Sequence, residues 1–217
     1  MAPVSWIAPL LAGAISIATA GGAQAHPHVW IDMRTATLLD PQGRISGVRV
    51  EWLFDQFYSA YAEEDLDTDR NGKITEAEAN RWAANALGNI AKVGYFAEFL
   101  VDGRSSAPAS ADTPLGRWRG GRVWMSFVIR PQAPVDPRAA TFGYLSYDPE
   151  FYIDIRHPEK GVTATVEGPD HDRCTATVGR SDPSPEVIAS AAALDRDATA
   201  PSGLGRLFAD YVKVTCR

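Results

Sequence analysis

The sequence predicts an α+β protein, a mainly antiparallel β-sandwich with one helix–loop–helix unit inserted between two of its strands. Three observations predict it. Short segments of alternating apolar and polar residues recur between turn signals, as strands with one buried face require. Two helical stretches flank a single loop rich in Asp, Asn and Gly. Strands do not alternate regularly with helices, so a two-lobed receptor built on parallel sheets is not expected.

In chain order, the stretch around residues 5–19 is apolar and uncharged, and Ala23-Gln24-Ala25 follows it. The apolar run is too short to span a membrane comfortably, and small residues two apart suit signal-peptidase cleavage. We therefore expect a cleaved signal peptide over residues 1–25 and one β-rich domain over 26–217, with the helical insertion at about 53–93. No Lys or Arg precedes the apolar run, so an uncleaved anchor is the alternative. No second apolar run reaches spanning length, and the mature chain is not expected to be membrane-embedded.

Export fits the cysteine usage. Cys174 and Cys216 are the only two cysteines, an even count that suggests one disulfide tying the carboxyl terminus to the body. The net charge of −6 makes the chain a poor partner for nucleic acid or anionic lipid.

Cleavage after Ala25 would begin the mature chain at His26-Pro27-His28-Val29-Trp30-Ile31-Asp32. Val29, Ile31, Met33, Thr35 and Thr37 alternate with more polar positions, as in a half-buried strand. His28, Trp30 and Asp32 then share the opposite face, and His26 can join them. Imidazole and amine nitrogens suit Zn²⁺, Ni²⁺ and Cu²⁺. Pro27 lacks the backbone N–H that square-planar binding through deprotonated amides would use. The remaining mode is chelation by the amine and ring of His26, with His28 and Asp32 completing the set. A solvated terminus whose histidines only hydrogen-bond is the plain alternative.

Asp40-Pro-Gln-Gly43 reads as a turn, and Ile45–Trp52 as the returning strand. Leu53–Glu64 reads as a helix with Leu53, Phe57 and Tyr61 on one stripe. Thr75 to about Val93 reads as a second helix burying Ala83, Leu87, Ile90 and Ala91. Between them runs Asp67-Thr-Asp69-Arg-Asn71-Gly72-Lys73-Ile74-Thr75-Glu-Ala-Glu78. Side-chain oxygens of Asp67, Asp69, Asn71, Thr75 and Glu78 and the carbonyl of Lys73 fall where an EF-hand loop places its ligands. Gly72 falls at its sharp turn and Ile74 at its apolar anchor. This pattern calls for Ca²⁺, a hard cation that takes many oxygens around a flexible loop. Thr75 and Glu78 also form a capping box, which would explain Glu78 but not Asp67, Asp69, Asn71 and Gly72 together.

The rest reads as strands, with candidates at 95–101, 122–130, 141–147, 151–156, 161–167 and 173–178. A hairpin is expected at Asp102-Gly103, an alanine-rich helix over Ser184–Asp195, and either a helix or a strand over Leu204–Cys216. Asp148-Pro149 marks a turn flanked by aromatics. His157 and His171 read as structural or surface histidines. No phosphate-binding glycine loop, nucleophile elbow or H-E-x-x-H signature is present, so no catalytic residue is assigned and an enzyme is not expected.

HPHVWID at 26–32, VEWLFDQFYS at 50–59, DLDTDRNGKITEAE at 65–78, GYF at 94–96, VDG at 101–103, YDPEFY at 147–152, Cys174 and FADYVKVTC at 208–216 carry a resemblance over essentially the whole mature chain. They resemble a family of exported bacterial proteins, the domain of unknown function 1007, often labelled the periplasmic component of an ABC-type transport system. The resemblance implies a periplasmic location and association with nickel, cobalt or zinc transport. It strengthens the transition-metal reading at His26 and His28.

The expected function is therefore a periplasmic metal-binding accessory protein. Ca²⁺ in the loop would be a structural staple, and a transition metal at the amino terminus would be captured for a membrane metal transporter. Two alternatives stand beside it. A copper-dependent oxidative enzyme would use an amino-terminal histidine chelate, and a calcium-stapled protein-interaction module would bind transition metal only incidentally.

Overall fold

The structure, a computed structural model, describes residues 27–194, 201 and 203–217. The expected leader, His26 and the end of the alanine-rich helix lie outside the described residues. Two sheets, mostly antiparallel, share one core.

The first sheet contains β1 (Val29–Leu39), β2 (Ile45–Phe54), β5 (Ser110–Arg119), β6 (Arg122–Arg130), β8 (Ile153–Arg156) and β9 (Ala164–Glu167). Its order is β5-β6-β2-β1-β8, with β9 also paired to β1; the β1–β8 and β1–β9 pairings are parallel. The second sheet runs β10-β11-β7-β3-β4. It contains β3 (Ala97–Val101), β4 (Arg104–Ser106), β7 (Phe142–Ser146), β10 (Cys174–Gly179) and β11 (Tyr211–Cys216). Alternation sends Ile31, Met33, Val50, Trp52, Met125 and Phe127 inward from the first sheet. Phe99, Phe142, Tyr144, Val212 and Val214 meet them from the second. The Tyr144 hydroxyl donates to Thr35 Oγ1 at 2.8 Å, so the largest buried tyrosine crosses the core without an unmatched O–H.

Helices α1 (Gln56–Leu66) and α2 (Glu76–Ile90) lie between β2 and β3. The first helix starts later than the sequence suggests. Leu53 and Phe54 finish β2, and Asp55 caps α1 by accepting from the backbone N–H groups of Phe57 and Tyr58. The helix starts three residues later than expected and turns the expected stripe outward: Phe57 is 86% and Tyr61 77% exposed, while Ser59, Ala62 and Leu66 turn inward. Helix α2 ends at Ile90, three residues early, and a 3₁₀ segment, Ala91–Phe96, leads into β3.

One face of α2, formed by Ala79, Ala83 and Leu87, lies on the first sheet. The approach is close because Gly116 of β5 has no side chain. A Cβ there would overlap the Ala79 carbonyl oxygen and come within 3.1 Å of Ala83 Cβ. The Gly116 N–H donates to Asn80 Oδ1 at 2.9 Å, fixing the helix along the strand.

Beyond β7 the chain contains α3 (Pro185–Ala192) and α4 (Leu204–Phe208). The segment expected as either helix or strand is both: α4 precedes β11. Cys174 and Cys216 are opposite each other in the β10–β11 register and are joined by a disulfide. No helix among the described residues is long and apolar enough to cross a membrane.

Candidate functional site

The loop between α1 and α2 gathers its acids. Ligand-capable oxygens of Asp67, Asp69 and Glu78 all lie within 4.8 Å of one another. The chain achieves this locally. Asp67 accepts from the N–H groups of Asn71 (3.0 Å) and Gly72 (2.7 Å), and Asn71 Oδ1 accepts from Lys73 N–H at 2.8 Å. Gly72 takes φ +76°, the left-handed conformation that a reversal this tight requires.

Glu78 closes the loop from the first turn of α2. One carboxylate oxygen accepts from the backbone N–H and hydroxyl of Thr68, at 3.0 and 2.9 Å. The other accepts from the N–H and hydroxyl of Thr75, at 2.9 and 2.7 Å, completing the capping box at the start of α2. These donors, Thr75 first, hold its carboxyl down at about 2, so it is ionised at any neutral pH. Asn71, Lys73 and Thr75 line the same turn, and the donor set is oxygen throughout, as a hard cation requires. A bound ion would draw on the lone pairs that Thr68 and Thr75 use, so the start of α2 and the loop form one unit.

The amino-terminal residues are arranged differently. The His28 ring packs against Tyr152 at a tilt of 37°, with ring centroids 4.6 Å apart, and its backbone N–H donates to the Tyr152 carbonyl at 2.8 Å. Asp32 is four residues further along β1, roughly 13 Å of strand rise away. It is exposed and paired with Arg122 at 3.1 Å. The sequence reading put His28 and Asp32 on one face of a strand; β1 begins only at Val29, the His28 ring lies against Tyr152, and Asp32 is engaged by Arg122. The expected fourth donor, His26, lies outside the described residues. His171 is in an exposed turn, its ring Nδ1 3.0 Å from the Gly168 carbonyl oxygen. His157 is buried; its backbone N–H donates to Asp210 at 3.1 Å and its ring Nδ1 is 3.2 Å from the Thr163 carbonyl oxygen.

A feature the sequence reading missed lies behind the loop. Between α2 and the inner face of the first sheet is a cavity of about 470 Å³. Ile31, Trp52, Phe54 and Met125 form its floor, and Tyr58, Trp82, Ala86 and Phe96 its walls. Asp65, Thr68, Arg81, Asn85 and Asn89 form its polar rim, and Glu78 is shared with the loop. Trp52 is 98% buried, and its indole Nε1–H has no acceptor among the described residues. A buried donor left unmatched costs about 1–3 kcal/mol. The rings of Phe54 and Phe127 meet it edge-on, at 6.1 and 4.9 Å, and fix its orientation. The sequence did carry a signal. Trp82, Ala86 and Ile90 form a second apolar stripe on α2 beside the one that packs on β5, more apolar surface than one packed face needs.

With this geometry established, the chain can be placed. It belongs to a family described as Protein of unknown function (DUF1007), whose profile matches residues 11–216. An uncharacterized protein of Haemophilus influenzae is 23% identical to it over 199 residues, covering 90% of this chain and 93% of that protein. No solved structure matches it.

Proposed function

We propose that this protein is an exported, periplasmic metal-binding accessory protein whose EF-hand-like loop, Asp67–Glu78, binds Ca²⁺ as a structural staple. The observation that carries the reading is the convergence of Asp67, Asp69 and Glu78 oxygens within 4.8 Å, with Glu78 buried and ionised. The disulfide is in keeping with an oxidising compartment. Calcium there is plentiful enough for a weak site, as in extracellular modules with Kd of roughly 10⁻⁴–10⁻³ M.

The test is thermal unfolding of the mature chain in EDTA and in calcium. With a Kd of about 10⁻⁴ M, calcium at about 10 mM should raise Tm by roughly 5–10 °C. Asp69→Ala should abolish the rise while leaving the EDTA midpoint nearly unchanged, because Asp69 is exposed and its hydrogen bonds stay within the loop. Identical melting of the wild type with and without calcium would remove the staple.

The transition-metal half of the reading rests on His26 and His28 at the expected mature terminus, with Asp32 removed from the ligand set by its pairing with Arg122. Under it the protein hands Zn²⁺, Ni²⁺ or Cu²⁺ to a membrane transporter. Native mass spectrometry with elemental analysis of untagged protein from the periplasm tests it. A mass beginning at His26 with one stoichiometric transition metal supports it, and loss of that metal in His28→Ala assigns the ligand. Copper with peroxide production in the presence of a reductant would favour the oxidative enzyme instead. Calcium alone would leave a calcium-stapled interaction module.

A further inference from the structure

We propose that the cavity beneath α2 binds a free aromatic α-amino acid, its side chain among the cavity's rings, its carboxylate on Arg81 and its ammonium on Asp65. Neither charge belongs to the Asp67–Glu78 ligand set, so the proposal stands apart from the calcium reading.

The apolar part of the ligand follows from the lining. About 470 Å³ falls within the ordinary range of small-molecule sites, roughly 300–1,000 Å³, which are mostly apolar with a few fixed polar groups. Here the rings brace one another. Tyr58 stacks on Phe54 with centroids 4.8 Å apart, and Trp82 meets Phe54 edge-on at 5.8 Å. Trp52 and Phe96 are 6.4 Å apart. An aromatic side chain placed on such a surface gains ring contacts without first having to order it.

The charged part follows from two groups at one end of the cavity. The Arg81 guanidinium donates to Thr68 Oγ1 at 2.6 Å. It makes no ion pair among the described residues, so most of a five-donor fork that suits a carboxylate remains available. Asp65 likewise makes no ion pair among the described residues. It lies in the last turn of α1, which carries no basic residue, three positions before the Thr68 that Arg81 reaches. Its closeness to the wall is felt by Tyr58, whose phenol is pushed up first by burial and then by the Asp65 charge. Both side chains line the cavity and are exposed at its mouth. Glu78, at the same end, calls for no further partner, because its oxygens already accept from Thr68 and Thr75.

Opposite, unpaired charges over one aromatic cavity select for a ligand that carries both. An organic anion would satisfy Arg81 but meet the Asp65 and Glu78 carboxylates. An organic cation would satisfy Asp65 but meet Arg81. A neutral molecule would use neither charge. A zwitterion uses both. An α-amino acid is its compact form, with both charges at one carbon and the side chain directed away from them.

Isothermal titration calorimetry of the mature wild-type chain tests this. L-Phenylalanine and L-tryptophan should bind saturably at one site per chain. Hydrocinnamate lacks the ammonium and phenethylamine lacks the carboxylate. Each should bind roughly five- to tenfold more weakly, the loss of one charged contact at a partly hydrated mouth. The variants should separate the two charges. Arg81→Gln should weaken L-phenylalanine and hydrocinnamate to that extent and leave phenethylamine unweakened. Asp65→Asn should weaken L-phenylalanine and phenethylamine and leave hydrocinnamate unweakened. Both residues are exposed, so both variants should fold, which near-ultraviolet circular dichroism checks. Ala86→Trp fills the cavity from its wall and should weaken every one of these ligands by roughly tenfold or more in a folded chain. No saturable binding of either amino acid, analogues that bind as tightly as the amino acids, or folded variants that bind like wild type would each overturn the proposal.

Discussion

Reducing the Cys174–Cys216 bond is expected to lower the unfolding free energy by about 4 kcal/mol, the chain-entropy value for a closed loop of this length. The bond closes a loop with a sequence separation of 42, a span that includes α3, α4 and the return into β11. Strand β11 is not peripheral. It lies between β10 and β7 in the second sheet, and Val212 and Val214 are in the shared core. In the unfolded chain the bond removes the loop-closure entropy of this segment. In the folded chain the two residues already face each other in the β10–β11 register. Urea unfolding with and without a phosphine reductant measures the difference, and a Cys174→Ser/Cys216→Ser double variant should reproduce it without reductant. A change below about 1 kcal/mol in both comparisons would show that the ladder alone holds the terminus and that the bond contributes little.

The parts of this fold that could be read from sequence share a physical cause: their information is local. The Asp67–Glu78 loop is specified residue by residue, and its acids converge because neighbouring side chains and N–H groups in the same turn bring them together. Most of the alternating strands were legible because one buried face imposes a period of two. The errors arose where a local rule had two solutions. Leu53 and Phe54 suit the first turn of a helix as well as the last residues of a strand. Asp55 decides between them, because its carboxylate accepts from Trp30 N–H across the sheet as well as from the start of α1. Strand β5 passed unread because Pro114 and Gly116 weaken its strand signal, yet Gly116 is there to admit α2. The cavity is a tertiary property. Trp52 comes from a strand and Trp82 from a helix; the second apolar stripe of α2 marks a surface to be covered, but only the tertiary fold brings the two tryptophans to one space. At the amino terminus, the Arg122 that claims Asp32 comes from β6, 90 residues away, beyond the reach of any local pattern.

Acidification from pH 7 to pH 4 is expected to cost roughly 3 kcal/mol of stability, most of it traceable to His157. The residue is 2% exposed. Its Nδ1 is 3.2 Å from the Thr163 carbonyl oxygen, which can only accept, so Nδ1 carries the proton of the neutral ring. Nε2 is buried and has no partner among the described residues. Protonating it would create a buried charge with no acceptor. Burial therefore pushes the histidine down from 6.5 to about 4, against the pull of Asp210 and the Thr163 carbonyl and with help from Arg180 and Arg34. The sign follows from the direction. Above about pH 6.5 the ring is neutral in both states and the stability is fully present. Between 6.5 and 4 the unfolded chain takes up a proton that the folded chain refuses, so stability falls with pH until the folded state also titrates. Glu98, held down at about 2 chiefly by Arg206, loses its contribution only below its unfolded value of 4.5, which separates the two windows. Urea unfolding at pH 7, 6 and 5 should therefore show a steady decline in the wild type. His157→Gln can still donate to Thr163 but cannot titrate, so it should flatten that decline even if it starts from a lower stability at pH 7. A wild type equally stable at pH 7 and pH 5 would mean that the ring finds a proton acceptor when charged and is not the acid-sensitive element of the fold.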